Sequence, residues 1–376
     1  MVFCKNLLSI DIVKFYIFAQ KTMIGDLKTI KALIKKLPKE LLPIRLMEVC
    51  GTHTVAISRM GIRPFLRGEV ELISGPGCPV CVTPANFVAK AIWLAENGCT
   101  VATFGDMMKV PAGNDSLFKA KARGCDIKVV YSPMDALEFA SLNSENHVVF
   151  LGIGFETTAP TIAGAILEAE KRKLGNFSVL CGLKTIPRPL EYIASSDELS
   201  IDGFILPGHV SAIIGRKAYE FIAEKFGKPG TITGFEYGDI IEGVAELIRI
   251  IISGKPRISN AYTRVVRENG NEHALELIEQ VFIPCDSSWR GLGMLSNSGL
   301  RIREEFSSFD SESRFTIPEF SDIRDNPACL CDKVILGAAK PTDCELFGTA
   351  CTPSHPQGPC MISSEGACAA YFKYGE

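Results

Sequence analysis

An α/β protein of two doubly wound parallel-sheet lobes, followed by a separate C-terminal cysteine-rich module, is the fold this sequence predicts. Three observations carry that expectation. Between about Leu46 and Glu236 one phrase recurs: a short apolar run, an irregular loop rich in Gly, Pro or Cys, then a helical pattern. Beyond about Gly254 that rhythm gives way to polar and charged segments. Finally, six of the fourteen cysteines fall within the last 48 residues. At 376 residues the chain exceeds one ordinary compact core, so two or three domains are expected.

The apolar runs lie near Arg45 to Val49, Val70 to Ser74, Thr100 to Phe104, Lys128 to Tyr131, His147 to Ile153, Ser178 to Cys181, Gly203 to Leu206 and Thr231 to Phe235. They are continuous rather than alternating, which marks strands buried on both faces of a parallel sheet. Helix starts are legible between them. Ser132-Pro133-Met134-Asp135 offers an N-cap serine, a proline in the first turn and an acidic residue two further on, and Thr157-Thr158-Ala159-Pro160 precedes an alanine-rich amphipathic run. Eight strand–helix units also allow a closed barrel, but two open sheets fit the length better, with the cut near residue 140. The expected organisation is an N-terminal extension over 1–22, lobes over 23–140 and 141–300, and the module over 301–376. Phe306 to Arg314, rich in serines and acids, reads as a surface connection to that module.

Composition excludes several function classes. The apolar fraction of 47% with 22% charged residues is that of a globular protein, and no stretch approaches the roughly 20 uninterrupted apolar residues of a membrane helix. Forty basic against forty-three acidic residues leave a net charge of -3, with no general attraction to nucleic acid or anionic lipid. Lys5, Asp11 and Lys14 interrupt the apolar pattern of the first residues, which argues against a secretory signal, and Met23 is an alternative start. A cytoplasmic location is therefore expected. In that reducing compartment dense cysteines point to a metal or redox site before structural disulfides.

Two constellations stand directly after expected strands, where ligands bind in open α/β sheets. In Cys50-Gly51-Thr52-His53-Thr54 a thiol and an imidazole lie close together beside a glycine that admits close backbone approach; a buried thiol with a capping threonine is the alternative. In Gly75-Pro76-Gly77-Cys78-Pro79-Val80-Cys81 two thiols sit in a turn stiffened by two glycines and two prolines, suited to a redox disulfide or to one soft metal ion. Asp106, in Gly105-Asp106-Met107-Met108, and Glu156, in Gly152-Ile153-Gly154-Phe155-Glu156-Thr157-Thr158, are acid–base candidates or helix caps. The Gly-x-Gly there lacks the third glycine of a dinucleotide fingerprint. His209, closing Pro207-Gly208-His209, reads as a core histidine or an imidazole over the cleft.

The tail carries Cys329, Cys331, Cys344, Cys351, Cys360 and Cys368. Four thiolates hold a [4Fe-4S] cluster, and the division that follows the chain makes Cys331, Cys344, Cys351 and Cys368 the ligands, with Cys329 and Cys360 as a nearby redox pair. A zinc site is the competitor, but the tail lacks the paired Cys-x2-Cys knuckles common in zinc domains.

Taken in order, Cys50-Gly51-Thr52-His53, Gly75 to Cys81, Gly105 to Met108, Gly154 to Thr158 and the tail resemble the HypD family of hydrogenase maturation proteins. The densest match is Cys344-Glu345-Leu346-Phe347-Gly348, Cys351-Thr352-Pro353 and Cys360-Met361-Ile362-Ser363-Ser364-Glu365-Gly366-Ala367-Cys368-Ala369-Ala370-Tyr371. The resemblance runs from about Met23 to the end; Asp332-Lys333 departs from it, standing where the family often has glycine and an acid. It implies a scaffold that, with the small chaperone HypC, holds an Fe(II) ion while CN and CO ligands are assembled on it for [NiFe]-hydrogenases. Cyanide would arrive from HypE, which makes it from a carbamoyl group supplied through HypF. Cys50, Cys78 and Cys81 then become the iron-handling residues and the tail cysteines the [4Fe-4S] ligands. His53 would donate a hydrogen bond to a cyanide nitrogen or tune a thiolate, and Asp106 and Glu156 would order the cleft.

Chemistry favours the same assignment, since cyanide and CO suit low-spin ferrous iron bound partly through thiolate, and a low-potential cluster near a dithiol stores electrons. Two rivals remain at this level. A thiol–disulfide oxidoreductase resembling ferredoxin–thioredoxin reductase accounts for Cys78, Cys81 and the tail but gives Cys50 and His53 no role. A zinc-stabilised binding module has no chemistry at all.

Overall fold

The computed structural model describes residues 27–375; the expected extension over 1–22 lies outside them. The strands are β1 (Ile44–Glu48), β2 (Val70–Ser74), β3 (Thr100–Thr103), β4 (Ile127–Val129), β5 (Val148–Gly154), β6 (Phe177–Leu183), β7 (Gly203–Pro207), β8 (Gly230–Thr233), β9 (Ile258–Asn260), β10 (Phe282–Trp289) and β11 (Gly293–Ile302). Each of the eight expected runs contains one of β1 to β8 or overlaps it. They form two parallel sheets, one in the order β2-β1-β7-β8-β9 and the other β4-β3-β5-β6, and β10 and β11 make an antiparallel hairpin. The closed-barrel alternative is thereby set aside.

Sheet membership is interleaved along the chain. The first sheet takes β1 and β2, the chain leaves to build all four strands of the second, then returns to complete the first with β7 to β9. Residue 140, the expected cut, lies in the helix Pro133–Leu142, between β4 and β5 of one sheet. The local strand–helix rhythm is the same in both sheets, so it carries no sign of which sheet a strand joins.

Period-2 geometry explains how both faces are covered. Met47 in β1 and Val49 just after it belong to a core shared by both sheets, which Val101, Val149 and Leu151 enter from the second. Ile44 and Leu46 face the other way, with Leu72 and Ile205, against the helices Gly51–Arg59, Tyr237–Ser253 and residues 27–34. Ala102, Phe150 and Val179 likewise face the helices Pro133–Leu142 and Ala159–Lys171. Each sheet thus reverses its winding once, between β1 and β7 and between β3 and β5. Those two points are where loops diverge and leave a crevice.

The helix starts follow their local chemistry. Ser132 accepts from the Asp135 amide while the Asp135 carboxylate accepts from the Ser132 amide, a complete capping box. Pro160 sits in the first turn of the helix Ala159–Lys171, where its missing N–H is no loss. Phe306 to Arg314 is not only a surface connection: Phe306, Phe309 and Ser311 are buried against the second sheet, and the Ser311 hydroxyl meets that of Ser178 at 2.8 Å. Among the described residues no helix is long and apolar enough to cross a membrane.

Candidate functional site

The candidate residues sit on five loops at the carboxyl ends of strands. Cys50 follows β1 and His209 follows β7, at the reversal of the first sheet; Asp106 follows β3 and Glu156 follows β5, at the reversal of the second. Cys78 follows β2.

Gly77 brings the two cysteine motifs together. A Cβ on it would collide with the backbone N and Cα of Cys50, so only glycine permits the approach, and its carbonyl accepts from the Gly51 amide at 3.0 Å. Cys78, at the entry to the helix Pro79–Val82, is joined to Cys81 by a disulfide. A void of about 10 Å³, room for about one water, is lined by Gly51, Cys78, Cys81, Cys360 and Glu365. The disulfide and a tail cysteine therefore share one small enclosure beside Cys50.

Cys50 is buried at the start of the helix Gly51–Arg59. Burial first, then the Glu365 carboxylate, push its thiol up to about 11, against hydrogen bonds from Thr52 and the His53 backbone that favour the thiolate. The thiol is neutral at ordinary pH, so any metal that binds it must displace a proton.

His53 is fully buried against the end of β8 and the loop that follows it. Its Nε2 donates to the Gly234 carbonyl at 2.9 Å and lies 2.8 Å from the Thr233 hydroxyl, while its ring packs on Phe235, centroids 4.6 Å apart. Burial holds the imidazole down at about 4, so it is neutral. With the proton on Nε2, Nδ1 is a buried acceptor with no protein partner. His209 packs on the same Phe235 ring, centroids 4.0 Å apart.

Asp106 does not cap its own turn. Its Oδ2 accepts from the Ser363 hydroxyl at 3.1 Å, the Ser364 amide at 3.1 Å and the Ser364 hydroxyl at 3.3 Å, fixing the tail loop that presents Glu365. Glu365 was not a sequence candidate, yet its carboxylate accepts from the Thr52 hydroxyl at 2.6 Å. The signal that could have singled it out is its place as the one carboxylate between Cys360 and Cys368. Glu156 is buried; its Oε1 accepts from the Ile186 amide at 2.9 Å at the start of the helix Pro187–Ser195, its Oε2 has no partner, and burial pushes it up to about 7.

In the tail, the Cys331 and Cys360 sulfurs lie 2.8 Å apart. Hydrogen bonds from the thiols of Cys329 and then Cys360 hold Cys331 well below the ordinary thiol range. Cys331 thus meets both members of the expected redox pair, and these contacts do not separate the six cysteines into four and two. Cys351 lies within electrostatic reach of Cys368 and Cys344. Six thiols in one module, four of them buried, are a donor set that suits an iron–sulfur cluster. Among the described residues no three His, Cys, Asp or Glu side chains converge as ligands of a single metal ion. Cys78 and Cys81 become thiolate donors only once their disulfide is opened.

A family model described as "HypD: Hydrogenase formation hypA family" matches residues 26–375. The hydrogenase maturation factors HypD of Cupriavidus necator and Azotobacter vinelandii are each 46% identical, over 338 and 339 residues, covering 88% of this chain and 89% of the relative. HypD of Escherichia coli is 43% identical over 334 residues, with the same coverage. A match along nearly the whole length leads to one conclusion: this chain belongs to the HypD family.

Proposed function

We propose that the chain acts in hydrogenase maturation as an iron-handling scaffold on which Fe(II) receives its CN and CO ligands. The observation that carries this reading is the packing of Cys50 on Gly77, which sets a buried thiol beside the Cys78–Cys81 disulfide. Iron with its diatomic ligands is the substrate. Cys50 would hold it through a thiolate, releasing its proton as the metal enters. Opening the disulfide would add the Cys78 and Cys81 sulfurs to the donor set, and a HypC-type chaperone would supply a further ligand from outside. A HypE-type protein would deliver cyanide.

The remaining side chains order the cleft. Asp106 holds the Ser363–Ser364 turn, which aims Glu365 at Thr52, next to Cys50. His53, protonated on Nε2, offers Nδ1 only as an acceptor, so in this tautomer it has no free N–H to donate to cyanide. The tail cysteines would hold a [4Fe-4S] cluster, which would relay electrons singly from an external one-electron donor to the disulfide, two electrons being needed to open it.

The test is infrared spectroscopy of the chain co-purified anaerobically with its small chaperone partner. Intrinsic Fe–CN and Fe–CO bands are expected, and Cys50→Ala should abolish them; full-intensity bands in that variant would remove Cys50 from the mechanism. The placement of Cys360 against the disulfide favours a second reading, an iron–sulfur thiol–disulfide oxidoreductase. That activity would survive Cys50→Ala and require Cys78 and Cys81.

A further inference from the structure

Arg290, which no cysteine motif includes, lies between the two sulfur groups. It stands where β10 turns into β11 and is 5% exposed. Its backbone amide donates to the Val82 carbonyl at 2.9 Å, and its Nε and Nη2 donate to the Thr83 carbonyl at 3.2 and 2.9 Å. Those two carbonyls directly follow Cys81. On the other side, a Cβ on Gly291 would stand only 2.7 Å from the carbonyl oxygen of Asp332, which sets the hairpin tip against the residue after Cys331. A cavity of about 570 Å³ is lined by Arg290, Asp325, Cys329, Cys331 and Asp332, so the guanidinium and the first tail cysteines border one space.

The charge of Arg290 is only partly answered. The Thr83 carbonyl accepts from two of its nitrogens but carries no full negative charge. Its one carboxylate partner, Asp325, has a side chain 43% exposed, where water screens it. A buried cation therefore sits on the chain two residues beyond the disulfide and borders the space lined by Cys329 and Cys331, beside both places where reduction adds negative charge. Reducing the disulfide takes two electrons and yields two thiolates, and reducing a cysteine-held metal centre adds one charge. Nearby positive charge lowers the energy of each reduced form.

We propose that Arg290 is a positioning residue that ties the hairpin to the dithiol loop and, through its charge, raises the reduction potential of both the Cys78–Cys81 disulfide and the centre held by the tail cysteines, with Asp325 as the attenuator. Only the second of these effects rests on the iron–sulfur reading.

The experiment uses the full chain as wild type, Arg290→Gln, Arg290→Lys and Asp325→Asn. In metal-free protein the disulfide midpoint is read by equilibration with dithiothreitol couples, alkylation and peptide mass spectrometry. In anaerobically reconstituted protein the cluster midpoint is read by spectroelectrochemical titration of its visible band. Arg290→Gln should lower both midpoints, Asp325→Asn should raise both, and Arg290→Lys should stay near wild type. Opposite shifts from the two partners of one ion pair are a signature that loosened packing does not produce. Unchanged midpoints, or shifts of the same sign in Arg290→Gln and Asp325→Asn, would overturn the proposal. Asp325 lies on the solvent side, so its variant decides the matter should Arg290→Gln fail to fold. A wild-type chain that takes up no cluster would sink the iron–sulfur reading, while the disulfide arm still judges Arg290.

Discussion

The Thr52 hydroxyl donates to the Glu365 carboxylate at 2.6 Å, joining the loop after β1 to a tail loop 313 positions away. The same tail loop is held by Asp106, which follows β3 of the other sheet. One turn of the tail thus touches both sheets, with Cys50 beneath it, and the predictions below follow from its bonds and from the buried charges around it.

Replacing Glu365 with Gln keeps a hydrogen-bond acceptor for Thr52 and removes a negative charge that raises the Cys50 thiol. Burial still dominates, so the thiol stays above its ordinary value but titrates a fraction of a pH unit lower. The pH profile of iodoacetamide modification at Cys50, read by mass spectrometry on metal-free protein, should shift to lower pH. A shift to higher pH would contradict the assigned electrostatics.

Glu156→Gln should change how stability depends on pH. The folded carboxyl is raised from 4.5 to about 7, so the folded state binds its proton more tightly than the unfolded chain does. The stability this contributes is fully present below about pH 4.5 and is lost as pH rises through about 7, on the order of 3 kcal/mol over that window. The variant lacks this slope while its amide oxygen still accepts from Ile186. Thermal melts from pH 5 to 8 should show the variant gaining on wild type; parallel curves would refute the assignment.

Arg63→Met should destabilise the fold by on the order of 3–5 kcal/mol, because it leaves the Glu48 carboxylate buried without its ion-pair partner. Ser74 alone, donating to Glu48 at 3.0 Å, does not replace it. The double variant Glu48→Leu with Arg63→Met should recover most of the loss in urea unfolding. Arg63 also lies 5.0 Å from the centre of the Tyr371 ring, so the single variant should loosen the tail helix Ala367–Tyr374 as well.

Asp106→Ala removes the acceptor for three donors of the Ser363–Ser364 turn, at about 1–2 kcal/mol. Hydrogen exchange should quicken at Ser364 and its neighbours while β3 and β5 keep their protection. Unchanged exchange there would mean that the turn holds itself.

Much of this was legible in the sequence where the physics is local. Strands β1 to β8 announced themselves because strands covered on both faces are continuous apolar runs, and Cys50, Cys78 and Cys81 because they follow such runs within stiff, glycine-bearing turns. The hairpin was missed because it is half exposed: Pro284 and Asp286 interrupt β10, and its register shifts between Cys285 and Ser287. β9 is three residues long at a sheet edge. Arg290 carries no local signature and Glu365 only its place between two tail cysteines, since each acquires its meaning from a partner more than two hundred positions away.

The interleaved sheets have a consequence for biosynthesis. A nascent chain leaving the ribosome can finish the four strands β3 to β6 as one contiguous unit, while β1 and β2 wait for β7 to emerge. Until then the thiols of Cys50, Cys78 and Cys81 stand on an unfinished half-sheet without the tail over them. Metal capture before the cysteine-rich tail emerges would therefore occur on an open surface, and that tail, emerging after both sheets, is what encloses it.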